Sequence, residues 1–114
     1  MVETAYHSDE VFREAFVVFN SMREASEHTD IILRGDGDTD HSDHYPGGIA
    51  CHRLVLAAVS PYFRAMFRSE APSPGQEVRI HGVEAGTLNT IVKYCYTGIG
   101  TSTSLSTLSK SCHY

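Results

Sequence analysis

Seven histidines and three cysteines are the residues of this 114-residue chain that could carry chemistry. The densest grouping in sequence contains His41, His44, Cys51 and His52. Zinc needs four ligands that converge tetrahedrally, but Cys51 and His52 are neighbours at a predicted strand-to-helix junction, where their side chains diverge. The pattern therefore favours surface histidines and a packed Cys51, and we predict no bound metal.

The acidic run 36–43 is similar to a calcium-binding loop only in composition. An EF-hand loop needs glycine at its sixth position and glutamate at its twelfth. A loop that starts at Asp36 has His41 and Gly47 at these positions, and no predicted helices flank it. We interpret the run as a solvated acidic loop and expect no cofactor.

Catalysis has no coherent candidate site in this sequence. The chain contains neither a Gly-x-Ser-x-Gly elbow nor a glycine-rich phosphate loop. Cys51 or Cys95 could be a thiol nucleophile with His52 as its base, yet both cysteines fall on apolar faces that disfavour a thiolate. We predict that the chain is not an enzyme.

Three charged or titratable residues, Asp30, His52 and Arg53, lie beside apolar sequence. A buried carboxylate needs a partner, so these residues could form a charged pocket. Alternatively, Asp30 caps a turn and Arg53 is exposed. Both interpretations stay open, because the burial of an ion pair cannot be read from sequence.

The first element that positions such residues is a helix predicted from Asp9 to about Glu27, with Ser8 as its N-cap. Its apolar residues recur at steps of three and four, and Val17 and Val18 widen the apolar surface. Two interpretations of this surface stay open: it contacts another subunit, or it belongs wholly to the core of its own domain. The candidate interface residues are Val11, Phe12, Ala15, Phe16, Phe19 and Met22.

Two short strands, 31–33 and 48–51, are predicted to form a hairpin across the loop 34–47. Ser60-Pro61 then separates two apolar helices, because proline pushes the preceding residue out of the helical region and can itself open a helix. A further strand at 77–80 precedes a helix that ends at Gly98.

Composition excludes several classes of function. A net charge of -5 without clustered lysine or arginine argues against nucleic-acid binding. No apolar run reaches the roughly 18 residues of a membrane helix, and the N-terminus lacks the features of a signal peptide. The odd number of cysteines favours reduced thiols. We expect a cytoplasmic protein, with the nucleus as the alternative.

The stretch 51–67, with Cys-His-Arg-Leu-Val-Leu-Ala-Ala followed by Ser-Pro-Tyr-Phe-Arg-Ala-Met-Phe, resembles the BTB/POZ domain of kelch-like proteins. Thr29-Asp30-Ile31-Ile32-Leu33 and the later Tyr-Cys-Tyr-Thr-Gly are similar to further motifs of that family. The resemblance implies an α+β fold in which helices flank a small mixed sheet. It also implies a module that pairs through its first helix, as a homodimer or as a heterodimer with other BTB proteins.

In complete kelch-like relatives, this family connects a cullin-RING ubiquitin ligase to its substrates. The resemblance implies that Asp30, His52 and Arg53 lie in a charged pocket near the dimer interface. It implies that Tyr62, Met66 and Phe67 face the cullin, although Met66 and Phe67 also have core spacing. The apolar-x-Glu motif that supports cullin binding is missing from 71–75, which weakens that expectation.

The chain also departs from the family pattern. We expect an incomplete domain at 9–98, with an acidic loop inserted at 34–47 and the last strand and helices missing. The serine- and threonine-rich segment 99–114 is predicted to be disordered, with Leu105 and Leu108 as its only aliphatic anchors. A shortened form could pair with full-length partners and inhibit them. The alternatives are the BTB module of a transcription regulator and a fragment without function.

Overall fold

A computed structural model describes residues 8–36, 48–70 and 76–100. Within these residues, helices and strands follow the predicted order, and the core lies between a small sheet and the helices that cover it. The helices are α1 (Asp9–Glu24), α2 (Arg53–Val59), α3 (Pro61–Glu70) and α4 (Ala85–Thr97), and the strands are β1 (Ile31–Asp36), β2 (Ile49–Cys51) and β3 (Gln76–Glu84).

Strand β1 is the centre of a three-stranded mixed sheet with the order β2-β1-β3. It runs antiparallel to β2, with Ile31 opposite Cys51, which confirms the predicted hairpin. It runs parallel to β3, with Ile31 opposite Gln76. The result is the predicted α+β architecture, in which α4 packs on the sheet.

Strand β1 extends further than the sequence predicts. The acidic loop was expected to begin at Arg34, but residues 34–36 belong to β1, and the remainder of that loop, 37–47, lies outside the described residues. Arg34 continues the strand because its buried guanidinium donates to the Glu77 carboxylate of β3 at 3.1 Å. The partner strand supplies the charge that a buried arginine requires.

The predicted break between two helices is confirmed at Ser60. The Ser60 N–H donates to the Leu56 carbonyl of α2, and its own carbonyl accepts from Arg64 N–H of α3. The Ser60 hydroxyl also accepts from Phe63 N–H at 3.4 Å, in the manner of an N-cap. Pro61 occupies the first position of α3, where a missing N–H costs nothing.

The ends of α1 and α4 follow different rules. Helix α1 ends at Glu24, earlier than expected, and the chain turns through Ser26 and His28, both at positive φ. Ser8 occupies the N-cap position of α1 with an extended backbone, as predicted, although its side chain makes no capping hydrogen bond. Gly98 ends α4 at φ 73° and donates its N–H to the Tyr94 carbonyl, as predicted.

The core consists of apolar side chains from the sheet and from α2, α3 and α4, with phenylalanines of α1 packed against its edge. Among the described residues, no helix has the length and apolarity needed to cross a bilayer. The largest fully buried side chains include Tyr96, Phe63, Ile31, Leu33, Leu56 and Leu88.

Candidate protein-interaction surface

Helix α1 carries most of the large apolar side chains that remain exposed in the described residues. Val11, Phe12, Val17 and Val18 are 60%, 68%, 67% and 54% exposed. Scattered single apolar residues are normal on a protein surface, but several on one helix mark an interaction site. Of the six predicted interface residues, only Val11 and Phe12 belong to this exposed group.

The predicted interface residues do not share one face of α1. Val11, Ala15 and Met22 belong to that prediction, and together with Val18, which does not, they follow one another at steps of four, three and four and form one stripe along the helix. Ala15 and Met22 are half-buried, while the two valines project into solvent. We call these four residues the pairing stripe.

Phe16 and Phe19 lie on the inner side of α1. Their rings meet edge to face, with 5.2 Å between the ring centroids, and both pack against the core. Both side chains therefore pack in part against the core of their own domain. The sequence pattern predicted the apolar surface of α1, but it could not separate the inner face from the outer one.

Arg23 fixes the C-terminal end of α1 on α4. It is buried, its guanidinium lies 5.3 Å from the centroid of the Tyr96 ring, and it donates to Asn20 Oδ1 at 2.9 Å. A guanidinium over an aromatic face is attracted by the ring quadrupole. Sequence reasoning missed this residue, because an arginine in the last turn of a helix is usually exposed.

Asp30 and Arg53 form the ion pair that the charged-pocket interpretation predicts. Arg53 Nε donates to Asp30 Oδ2 at 2.9 Å, and Arg53 N–H donates to Oδ1 at 2.8 Å. The second contact satisfies a free amide at the start of α2, so Asp30 is also a cap. Both side chains are about one third exposed, which places the pair at the surface rather than in a buried pocket.

His52 contacts Tyr96 and Glu27 rather than joining that ion pair. Its Nε2 lies 2.7 Å from the Glu27 carbonyl, and its Nδ1 lies 2.7 Å from the Tyr96 hydroxyl. A carbonyl can only accept, so Nε2 donates to Glu27. The histidine therefore bridges the turn after α1 and helix α4.

The described cysteines are unsuited to nucleophilic chemistry. Both are buried, and burial raises the pKa of Cys51 to about 12, against a smaller opposing effect of Arg23. Burial likewise raises the pKa of Cys95 to about 11. Thiols with such values stay protonated at neutral pH and react slowly.

The predicted cullin-facing residues of α3 do not share one environment. Met66 is only 3% exposed and belongs to the core, so it cannot be a direct contact for a partner in this conformation. Tyr62 and Phe67 are half-buried and pack against the core edge. Helical spacing predicted the core role of Met66, and the structure supports that alternative.

The metal-binding alternatives fall mostly outside the described residues. His41, His44 and the calcium-like run beyond Asp36 belong to that part of the chain. Across 8–36, 48–70 and 76–100, no group of three or more histidine, cysteine, aspartate or glutamate side chains could hold a metal ion.

Comparison with protein families gives one match that spans most of the chain, the BTB/POZ domain, at residues 19–113. The chain belongs to the BTB/POZ family. The match begins within α1 and continues beyond Gly98, so the predicted boundaries of 9–98 remain a prediction.

Kelch proteins are among the BTB relatives. Kelch repeat and BTB domain-containing protein 8 of Xenopus tropicalis is 37% identical over 93 residues, covering 81% of this chain and 13% of the relative. Kelch-like protein 24a of Danio rerio is 37% identical over 100 residues, covering 87% of this chain and 14% of the relative. The chain therefore spans about one seventh of their length.

Solved BTB domains have the same fold. The BTB domain of human gigaxonin superposes with a TM-score of 0.70 at 18% identity, covering 97% of this chain and 85% of that chain. The BTB domain of zebrafish PATZ1 gives a TM-score of 0.68 at 23% identity, covering 87% and 73%. These likenesses confirm the BTB fold, and with the family match they make this chain a protein-interaction module.

Proposed function

We propose that this BTB domain pairs with a second BTB domain through the pairing stripe of α1, either in a homodimer or in a heterodimer with another BTB protein. The observation that carries the proposal is the exposure of Val11 and Val18 on one side of the helix. Residues spaced at four, three and four steps are the arrangement by which two helices pack side by side.

A symmetric pair of α1 helices agrees with this chemistry. In a two-fold interface the same patch meets itself, so it must be self-complementary. An apolar stripe meets this condition, because apolar side chains carry no charge and so do not repel their own copies. Burying one valine side chain contributes about 1.5 kcal/mol or more. Each valine of the stripe is present in both subunits, so a pair of chains gains this contribution twice for each position.

The test is the molar mass of the chain in solution, measured by size-exclusion chromatography with light scattering. We expect a two-chain mass for the parent and a one-chain mass for the variant Val11→Asp, Val18→Asp, because two carboxylates cannot be buried against each other. Circular dichroism should show equal helix content in both, since the replaced side chains face solvent. Changes at Phe16 or Phe19 would disturb the core as well.

Leu54→Asp is the matched control, because Leu54 is 80% exposed on α2 and lies outside the pairing stripe. This variant should keep the two-chain mass. A folded parent with a one-chain mass would contradict the proposal, and so would a variant that pairs as well as the parent. Aggregated parent protein without helical signal would favour the alternative of a fragment without function.

The kelch relatives favour a wider role as part of a substrate adaptor of a cullin-RING ubiquitin ligase over the transcription-regulator alternative. We propose this role for the longer protein type to which the domain is similar, with the cytoplasm as its location and the nucleus as the alternative. In this role the domain itself is noncatalytic. Tyr62 and Phe67 of α3 are the described residues that could contact a cullin.

A further inference from the structure

An apolar groove runs between α1 and α4 on the side away from the pairing stripe. Its volume is about 520 Å³. The α1 wall contains two residues that are about two thirds exposed, Phe12 and Val17. Residues from three helices line it, including Phe12, Phe16, Val17, Val59, Tyr94 and Cys95.

The chain leaves helix α4 at the wall of this groove. Gly98 lines the groove and turns the backbone through its positive φ. Gly100 then lies against the Tyr94 ring, so closely that a Cβ atom at residue 100 would sit 3.0 Å from Tyr94 Cδ2. Tyr94 is itself part of the groove wall, so the backbone after α4 doubles back toward the groove rather than away from it.

We propose that the segment 101–114 of the same chain occupies this groove, with Leu105 and Leu108 as its apolar contacts. Only four residues lie between Gly100 and Leu105, and the five Cα-to-Cα steps from one to the other can span up to about 17 Å. The exposed wall from Phe12 to Val17 covers about 7.5 Å of helix. The tether is therefore long enough, and it keeps the segment at a high effective concentration beside the groove.

The composition of the segment suits an apolar wall. The segment 101–114 contains Lys110 and no aspartate or glutamate, so most of its residues bring no charge to the groove. The charged residue of the groove lining is Arg13, and the other lining residues are uncharged. The docked segment would hold α1 on α4 and so fix the orientation of the pairing stripe.

Disulfide trapping in the full chain tests the proposal. In a Cys112→Ser background, the pair Val17→Cys, Leu105→Cys places one thiol on the groove wall and one on the segment. The control pair is Leu54→Cys, Leu105→Cys, because Leu54 is 80% exposed on another surface and is thus at least as accessible as Val17, which is 67% exposed. The native Cys51 and Cys95 are buried and react slowly. Mild oxidation should form the intramolecular disulfide at least tenfold faster in the Val17 pair.

The trapping experiment has two outcomes that would overturn the proposal. Equal rates in the two pairs would show that the segment does not prefer the groove. Covalent dimers in place of intramolecular disulfides would assign the groove to a second copy. Because the product forms within one chain, the result is independent of whether the pairing stripe forms dimers.

Hydrogen exchange gives a second readout in the variant Leu105→Ser, Leu108→Ser, whose replaced residues lie outside the described core. Amides of α1 should exchange several-fold faster than in the parent, whereas those of α2 and α3 should keep their rates. Unchanged exchange in α1 would contradict the proposal even if the trapping result were positive.

Discussion

At the scale of single residues, Tyr96 shows how one side chain connects distant parts of the domain. Its hydroxyl accepts from His52 N–H at 2.9 Å and lies 2.7 Å from Nδ1 of the His52 ring, while its own ring lies under Arg23. The sequence places His52 beside Arg53 and so predicts one charged group. Neighbours in sequence point in different directions here, and only the fold reveals that His52 contacts Tyr96 and Glu27 instead of Asp30.

The buried thiols predict a loss of stability at alkaline pH. Burial raises the pKa of Cys51 to about 12 and that of Cys95 to about 11, from the usual 9.0. The unfolded chain therefore releases these protons first. The free energy of unfolding should be unaffected by them below pH 9 and fall as the pH rises toward 11 and 12. At pH 10 the loss is on the order of 1 kcal/mol per thiol.

Urea unfolding of the parent and of Cys95→Ala, each at pH 7.5 and pH 10, measures this effect. The variant should lose on the order of 1 kcal/mol less than the parent between the two pH values, whatever its stability at pH 7.5. An equal loss in both proteins would assign the alkaline sensitivity to other groups, such as Tyr96, whose pKa burial also raises.

At the scale of elements, Gly35 lets β1 pass close to the end of β3. A Cβ atom there would lie 2.7 Å from the Val83 carbonyl oxygen and 2.8 Å from Ala85 N, both backbone atoms that cannot move aside easily. Gly35→Ala should therefore lower the free energy of unfolding by about 2 kcal/mol or more. The measurement is a urea titration followed by circular dichroism.

Gly86 is the matched control for that substitution. It lies in α4, and a Cβ atom there would meet nothing within 4 Å. Gly86→Ala should raise the free energy of unfolding by up to about 1 kcal/mol, because alanine is the better helix former. Equal effects of the two substitutions on the free energy of unfolding would mean that a Cβ atom at residue 35 causes no costly steric clash.

The sequence predicted each described helix and strand, and it was least accurate where tertiary contacts decide the result. Pro61 and Gly98 marked helix ends correctly, because their backbone preferences act locally. Arg34 looked like the start of a loop, since its partner Glu77 lies 43 positions away. The same limitation affected α1, where spacing predicted an apolar surface but not which side faces the core.

At the scale of the whole molecule, the proposed adaptor role depends on binding a cullin. The segment 71–75 lacks the apolar-x-Glu motif, so we expect weak binding by the parent. Pro72→Leu, Pro74→Glu installs Leu-Ser-Glu and should tighten binding to a cullin N-terminal domain at least tenfold, or about 1.4 kcal/mol. Isothermal titration calorimetry measures both affinities.

The variant Pro72→Ala, Pro74→Ala distinguishes the effect of the new motif on affinity from the effect of removing two prolines. This control should bind like the parent. If the Leu-Ser-Glu variant binds no better than the alanine control, then α3 and its following segment do not form a cullin site in this domain.

The position of β1 between its two partners also determines the order in which this domain can assemble during synthesis. Its antiparallel partner β2 emerges from the ribosome soon after it, but its parallel partner β3 comes later, as the 43-position separation of Arg34 and Glu77 indicates. Contacts between distant positions slow folding, because the intervening chain must be ordered first. One edge of β1 therefore stays open on the nascent chain until β3 has been made, and that edge is where premature association with a neighbouring chain would begin.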